Sequence, residues 1–219
     1  KCTNVSRSGG MIIQNYEHDM RAGPRQIYSG DTYFGFFSAD ALANQVGLRD
    51  ANVYQPNEKE RSVSTPFPFS DAAPFPDDML RMVDVVDVFD PNGGPHGLGF
   101  LRAVKDVVPS DWFFKAHFYQ DPVWPGSLGI EAFVQLLKYA AVERWRVSEH
   151  PRIESLAIGE EHRWTYRGQV LPTDHRVTVT AAITRVDDAR HILWGEGYLS
   201  VDGRTIYHMQ DFAVRIVEP

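Results

Sequence analysis

Wound as a helix, LGIEAFVQLLKYAAVERW from Leu128 to Trp145 is apolar on nearly every face. Such a helix is stable in water only when other elements enclose it. Its polar exceptions in the first three turns, Glu131, Gln135 and Lys138, fall at i, i+4 and i+7 and share one narrow stripe. A helix is therefore expected over about 127–145, and the rest of the chain must supply its cover. That rest reads as β. MLRMVDVVDVF at 79–89 and LGFLRAVKDVV at 98–108 flank the turn-forming DPNGGPHG. After the helix come HRWTYRGQV, HRVTVTAAITRV, HILWGEGYLSV and RTIYHMQDFAVRIV, β-branched and aromatic runs parted by LPTD, DDAR and VDG. Two strands, one buried helix and a closing meander make an α+β domain.

Just ahead of the helix, WFFKAHFYQDPVWPGSLGIE brings His117 and Glu131 to the two ends of a loop whose Pro122, Pro125, Gly126 and Gly129 restrict or free the backbone at fixed positions. Histidine, with an ordinary pKa of about 6.5, can serve as a base near neutral pH, and a carboxyl can serve as a proton donor where it is buried. Taken singly, His117 beside Phe114 and Phe118 reads as a core residue, and Glu131 as a complement to the helix dipole. Taken together across a rigid turn, they read as an acid/base pair.

The phrases FF, HF, DPVWPG and LGIEAFVQ, in this order and without a gap, resemble the FabA/FabZ-type 3-hydroxyacyl-[acyl carrier protein] dehydratases, above all the dehydratase domains of polyunsaturated fatty acid synthases and iterative polyketide-type synthases, which also share phrases like DTYFGFFS and ALANQVG at 31–47. The resemblance implies a hot-dog fold, a curved antiparallel sheet wrapped around one central helix. It implies dehydration of a 3-hydroxyacyl thioester on acyl carrier protein to the trans-2-enoyl thioester. His117 would remove the C2 proton and Glu131 would protonate the departing C3 hydroxyl. The backbone N–H of Gly126 would face the carbonyl oxyanion. Asp121, Pro125 and Gln135 would support the site, and Phe114, Phe118, Val123 and Trp124 would line the substrate tunnel. From the residues alone, Gln135 reads equally as a polar group on a solvated stripe. No cofactor is implied beyond the phosphopantetheine that carries the substrate. In this family the histidine and the acid of one site come from two hot-dog units, so a homodimer is expected, or a pseudo-dimer with an adjacent hot-dog module. Glu131 stands where the isomerising branch has aspartate, matching the branch that only dehydrates. Trp124 stands where methionine is common, either narrowing the tunnel or packing, and double-bond migration stays open. A non-catalytic scaffold module and a hot-dog thioesterase are the competing readings.

The N-terminal third reads differently. Residues 11–37 look like a β-hairpin, and a shift of 179 lays Ile13, Glu17, Arg25, Ile27 and Tyr28 over Ile192, Glu196, Arg204, Ile206 and Tyr207, with the turns AGPR and VDGR in correspondence. Residues 1–37 are thus expected to be the tail of an upstream hot-dog module, and a chain starting at Lys1 reads as part of a longer polypeptide or a processed product. The alternative is an edge extension of a single domain. Ser38 is a plausible cap for a short helix ADALANQV ended by Gly47. Residues 38–76 then form a connector in which Pro56, Pro66, Pro68, Pro74 and Pro76 argue for an extended strap rather than a regular element. Tyr54, Phe67, Phe69 and Phe75 argue that it lies against the dehydratase domain at 77–219.

The remaining composition narrows the partners. A net charge of −7 argues against nucleic acid. Arg144, Arg146, Arg152, Arg163 and Arg167 are candidates for a local patch facing an acidic carrier protein, each also readable as a solvated surface charge. No apolar run approaches the roughly 18 residues of a membrane span, and the start lacks a secretory core, so a cytoplasmic protein is expected. Cys2 is the sole cysteine, leaving no internal disulfide or thiolate cluster, and His150, His162, His175, His191 and His208 show no metal-ligand spacing.

Overall fold

The structure, a computed structural model, describes residues 1–69, 78–147 and 151–218. They fall in two compact units, Lys1–Gln45 and Val46–Pro219.

The first unit is an antiparallel meander of β1 (Cys2–Ser8), β2 (Met11–Ala22) and β3 (Arg25–Phe37), followed by α1 (Ala39–Ala43). β2 and β3 are the hairpin expected over 11–37. β1 is an addition: CTNVSRS has no apolar period, and the strand forms by pairing Cys2–Ser8 with Met11–Tyr16 across a turn in which Gly9 and Gly10 take φ +55° and +79°. Ser38 caps α1, its Oγ accepting from the Ala41 N–H at 3.3 Å. The helix stops at Ala43, short of the expected Val46, because Asn44 Nδ2 donates to the Asp40 carbonyl at 2.8 Å and closes the last turn.

The second unit begins with a strap carrying α2 (Glu58–Val63) and β4 (Phe67–Pro68), and a 3₁₀ turn at Asp78–Leu80 leads into β5 (Val85–Asp90) and β6 (Phe100–Asp106). A short helix α3 (Trp112–Ala116) and the long α4 (Gly126–Trp145) follow, then β7 (Arg152–Glu154), β8 (Arg163–Tyr166), β9 (Arg176–Asp187), β10 (Ile192–Val201) and β11 (Arg204–Glu218). The sheet runs β4-β5-β6-β9-β10-β11-β7, with β8 also on β11 and every pair antiparallel. α4 contacts β6, β9, β10 and β11. A curled antiparallel sheet around one long helix is the hot-dog fold expected from the sequence.

The sheet and helix meet without spacing. Ala132, Phe133, Leu136, Leu137 and Ala141 of α4 join Leu199, Ile206, Tyr207 and Phe212 in one buried cluster. The rings of Phe133 and Phe212 meet edge to face at 5.6 Å. Two glycines permit the approach. A Cβ on Gly129 would collide with the Tyr207 ring, and a Cβ on Gly197 would meet Phe133 Cε2 at 2.5 Å.

Two sequence expectations are corrected here. The strap is not wholly extended: Asn57 and Glu60 form a reciprocal capping box that starts α2 despite the surrounding prolines. Glu60 is buried and also receives the Gly94 N–H at 2.6 Å and the Tyr54 hydroxyl at 2.9 Å, while Tyr54 stacks edgewise on Phe100. Burial alone would push the Glu60 carboxyl up; the N–H groups of Gly94 and Asn57, with the Tyr54 hydroxyl and Lys59, outweigh it and hold the carboxyl below its ordinary range. Phe69 is buried, as the strap reading expects. Pro74, Phe75 and Pro76 lie outside the described residues, as does His150. The strand expected from residue 79 starts only at Val85. Backbone groups at Leu80 and Met82 bond instead to the Gln135 side chain.

Candidate active site

His117 follows α3 as its C-terminal cap, its N–H donating to the Phe113 carbonyl at 2.9 Å. The loop after it is tied to itself. Val123 N–H donates to the His117 carbonyl at 2.8 Å, and Phe118 and Asp121 exchange backbone bonds at 3.0 and 3.2 Å. Trp124 N–H donates to the Val170 carbonyl at 3.0 Å, anchoring the loop to the chain beyond α4. The imidazole lies in this loop with Nδ1 3.0 Å from the Val123 carbonyl. A carbonyl can only accept, so Nδ1 carries the hydrogen, and in the neutral ring Nε2 is the lone pair available to take a proton.

Glu131 lies in the second turn of α4. Its Oε1 accepts from Gln135 Nε2 at 3.0 Å and from Lys138 Nζ at 3.4 Å. The stripe read from the sequence is therefore a bonded row. Gln135 is 0% exposed, and the same amide donates to the Leu80 carbonyl at 2.7 Å and accepts from the Met82 N–H at 3.1 Å. These bonds fix the amide's orientation and, through it, one oxygen of Glu131. Among the described residues, no hydrogen bond or ion pair joins His117 to Glu131. The first is held by its own loop, the second by α4 and the 80–82 segment.

The start of α4 has Pro125 at its cap position and no side-chain cap. A Cβ on Gly126 would meet Trp164 at 2.8 Å, so glycine is required for that indole to rest on the helix start. Trp164, Tyr166 and Tyr207 form an aromatic cluster there with centroids 4.9 to 5.5 Å apart, and burial pushes the Tyr207 hydroxyl well above its ordinary range. The sequence gives no sign of this cluster, since β8 and β11 build it only through sheet pairing. Of the tunnel candidates, Phe114, Val123 and Trp124 are buried and Phe118 is exposed. Trp124 packs on Phe113 at 4.9 Å. Asp121 is exposed, with its backbone in the loop turn. Of the arginines suggested as a patch, Arg144 is paired with Asp188 at 3.1 Å and Arg167 donates to the Tyr166 carbonyl.

The family model for the FabA-like domain matches residues 75–210. The chain belongs to the FabA-like family. The matched span of this FabA-like chain holds His117, the DPVWPG loop and Glu131, and leaves the Lys1–Gln45 unit outside. One of the subunits of the polyunsaturated fatty acid synthase of Thraustochytrium sp. (strain ATCC 26185 / S-3) is 30% identical over 242 residues, covering 99% of this chain and 16% of that protein. The FabA-like chain thus spans a small part of that relative's length. Among solved structures, the dehydratase heterocomplex ApeI:P from Xenorhabdus doucetiae is similar with a TM-score of 0.49 and 13% identity, over 70% of this chain and 91% of that one. A hypothetical thioesterase with coenzyme A from Streptococcus pneumoniae TIGR4 gives 0.39 and 10%, over 54% and 79%. Among the described residues of this FabA-like chain, no three His, Cys, Asp or Glu groups converge as a metal site, and no helix is long and apolar enough to cross a membrane.

Proposed function

We propose that this chain dehydrates 3-hydroxyacyl thioesters, carried on the phosphopantetheine of an acyl carrier protein, to trans-2-enoyl thioesters. The observation that carries the reading is the His117 Nδ1 contact with the Val123 carbonyl, which turns Nε2 into the base. His117 Nε2 takes the C2 proton, the C2–H pair forms the C2=C3 bond, and the C3–O bond breaks as Glu131 gives its proton to the oxygen, releasing water. The uncapped N-terminus of α4, with the Gly126 N–H, faces the negative charge that gathers on the thioester oxygen. His117 and Glu131 are held by separate networks within one unit, which suits a site completed by the acid of a second hot-dog unit.

Mass analysis of a ladder of 3-hydroxyacyl carrier-protein thioesters tests this directly. Loss of the mass of one water is expected, and His117→Ala and Glu131→Gln each lower turnover by about 10²- to 10⁴-fold. Release of free thiol in place of an enoyl product would establish the thioesterase reading. Mixing His117→Ala with Glu131→Ala chains restores turnover if the two groups act across subunits, and leaves it absent if they act within one.

We further infer that residues 1–37 are the tail of another hot-dog unit N-terminal to this one, with β2–β3 as its closing hairpin. The 179-residue shift has a register to support it. Ala22 pairs with Arg25 as Val201 pairs with Arg204, Arg21 with Gln26 as Ser200 with Thr205, and Met20 with Tyr28 as Leu199 with Tyr207. Both hairpins shift register at the same step, Met20/Arg21 and Leu199/Ser200. Amide exchange across β2–β3 should slow in a polypeptide extended N-terminally by its natural sequence; unchanged exchange overturns the inference.

A further inference from the structure

Lys138 lies two turns beyond Glu131, its ammonium 3.4 Å from Oε1 and its side chain only 12% exposed, while the Glu131 side chain is 26% exposed. Gln135 holds the same oxygen. The two donors differ in kind. An amide N–H bonds both forms, the carboxylate about twice as strongly as the neutral carboxyl. An ammonium in a largely desolvated position attracts the carboxylate and gains little from the neutral acid. Both occupy Oε1, and among the described residues Oε2 has no partner, so the transferable proton belongs on Oε2.

We propose that Lys138 is a positioning residue that stabilises the Glu131 carboxylate as it forms during proton delivery. This rests on the dehydration reading above. When Oε2 passes its proton to the C3 hydroxyl and the C3–O bond breaks, the negative charge left on Glu131 develops beside the waiting ammonium. The attraction is therefore larger in the transition state for hydroxyl departure than in the bound substrate, which is the condition for raising kcat rather than tightening binding. The row Glu131, Gln135, Lys138 divides the work: Gln135 fixes the carboxyl's direction through the Leu80 and Met82 backbone, and Lys138 answers its charge.

The test compares two leaving groups on one acyl chain. A 3-hydroxyacyl thioester needs a proton on its leaving oxygen; the matching 3-chloroacyl thioester loses chloride with its electron pair and needs only the C2 proton removed. Lys138→Met and Lys138→Gln should lower kcat for the hydroxy substrate by roughly tenfold or more, part of the usual general-acid contribution, with KM unchanged. Both should leave chloride elimination near the wild-type rate, and Lys138→Arg should restore most of the hydroxy turnover. His117→Ala should abolish both reactions. Equal losses on both substrates in the Lys138 variants would mean a structural role and overturn the proposal, as would undiminished hydroxy turnover. If wild-type protein converts the chloro but not the hydroxy substrate, or neither, it is the dehydration reading that fails. Melting curves of each variant separate a folding defect from a catalytic one.

Discussion

In β10–β11, Ile206 and Tyr207 are 0% and 1% exposed; at the matching register positions of β2–β3, Ile27 and Tyr28 are 57% and 62% exposed. The residue types at these positions are the same, the tight turn falls at the same place, and the register slips at the same step. The one hairpin has α4 seated on it and the other shows its apolar residues to solvent. Strand pairing and turn chemistry are local and survive without a core. Burial is tertiary, and here α4 supplies it together with the aromatic residues of β8.

The largest test of that contrast is Ile206→Ala. Emptying a fully buried site under α4 should cost about 2–5 kcal/mol, read as a lower midpoint in urea denaturation followed by tryptophan fluorescence. A cost under about 1 kcal/mol, the level of an ordinary substitution, would mean that the helix cover is not what separates the two hairpins.

Gly129→Ala asks the same question from the helix side. Alanine in a helix interior ordinarily gains up to about 1 kcal/mol over glycine, but here its Cβ would strike the Tyr207 ring. Overpacking of this kind costs about 1–3 kcal/mol, so the variant should be net destabilised. A stabilised variant would show slack between α4 and β11.

Glu60→Gln sharpens the comparison by loosening the strap without touching α4. The two carboxylate oxygens accept separately, one from the Gly94 N–H and the other from the Asn57 N–H, with the Tyr54 hydroxyl donating to both. A glutamine amide has a single acceptor oxygen, so one backbone N–H loses its partner and the remaining bonds become neutral, an expected loss of about 1–3 kcal/mol at neutral pH. The folded carboxyl is held below its ordinary range, so its contribution is present above the unfolded value of about 4.3 and is lost as pH falls through the lower folded value. The gap between wild type and variant should therefore narrow on acidification below about pH 4. A gap constant with pH would place the loss in packing instead of charge.

How much of this is legible in the sequence follows the same division between local and tertiary. α4 can be placed within a residue of its start because an all-apolar helix declares its own burial, and the strands after it follow their turn residues. The candidate base and acid are visible because one loop and one helix turn carry them. Support of the site by Gln135 is expected only through the family resemblance, and the bonds that provide it are not legible, since the backbone groups it serves lie 53 and 55 residues away in sequence and no local pattern links them. That same tie delays β5, which the apolar run from 79 suggests would begin earlier. α2 is signalled by Asn57-x-x-Glu60, a local pattern outweighed in the sequence by the prolines around it. The partnership of Lys138 with Glu131 needs both the i, i+7 spacing, which the sequence shows, and the near-burial of the ammonium, which depends on the surrounding fold.

Ile27→Ala gives the smallest expected effect and the closest control. It removes from β3 the same side chain, at the same register position, that Ile206 contributes to β11. With the ring and branched groups around it open to water, the change should stay within about 0.5 kcal/mol of wild type, measured under the conditions used for Ile206→Ala. A cost approaching that of Ile206 would mean that something already covers β2–β3 in solution, such as a second copy of the chain, and the effect should then depend on protein concentration. If the cost is large and independent of concentration, the two hairpins are not the contrasting pair that their register suggests, and the inference of a missing hot-dog neighbour loses its support.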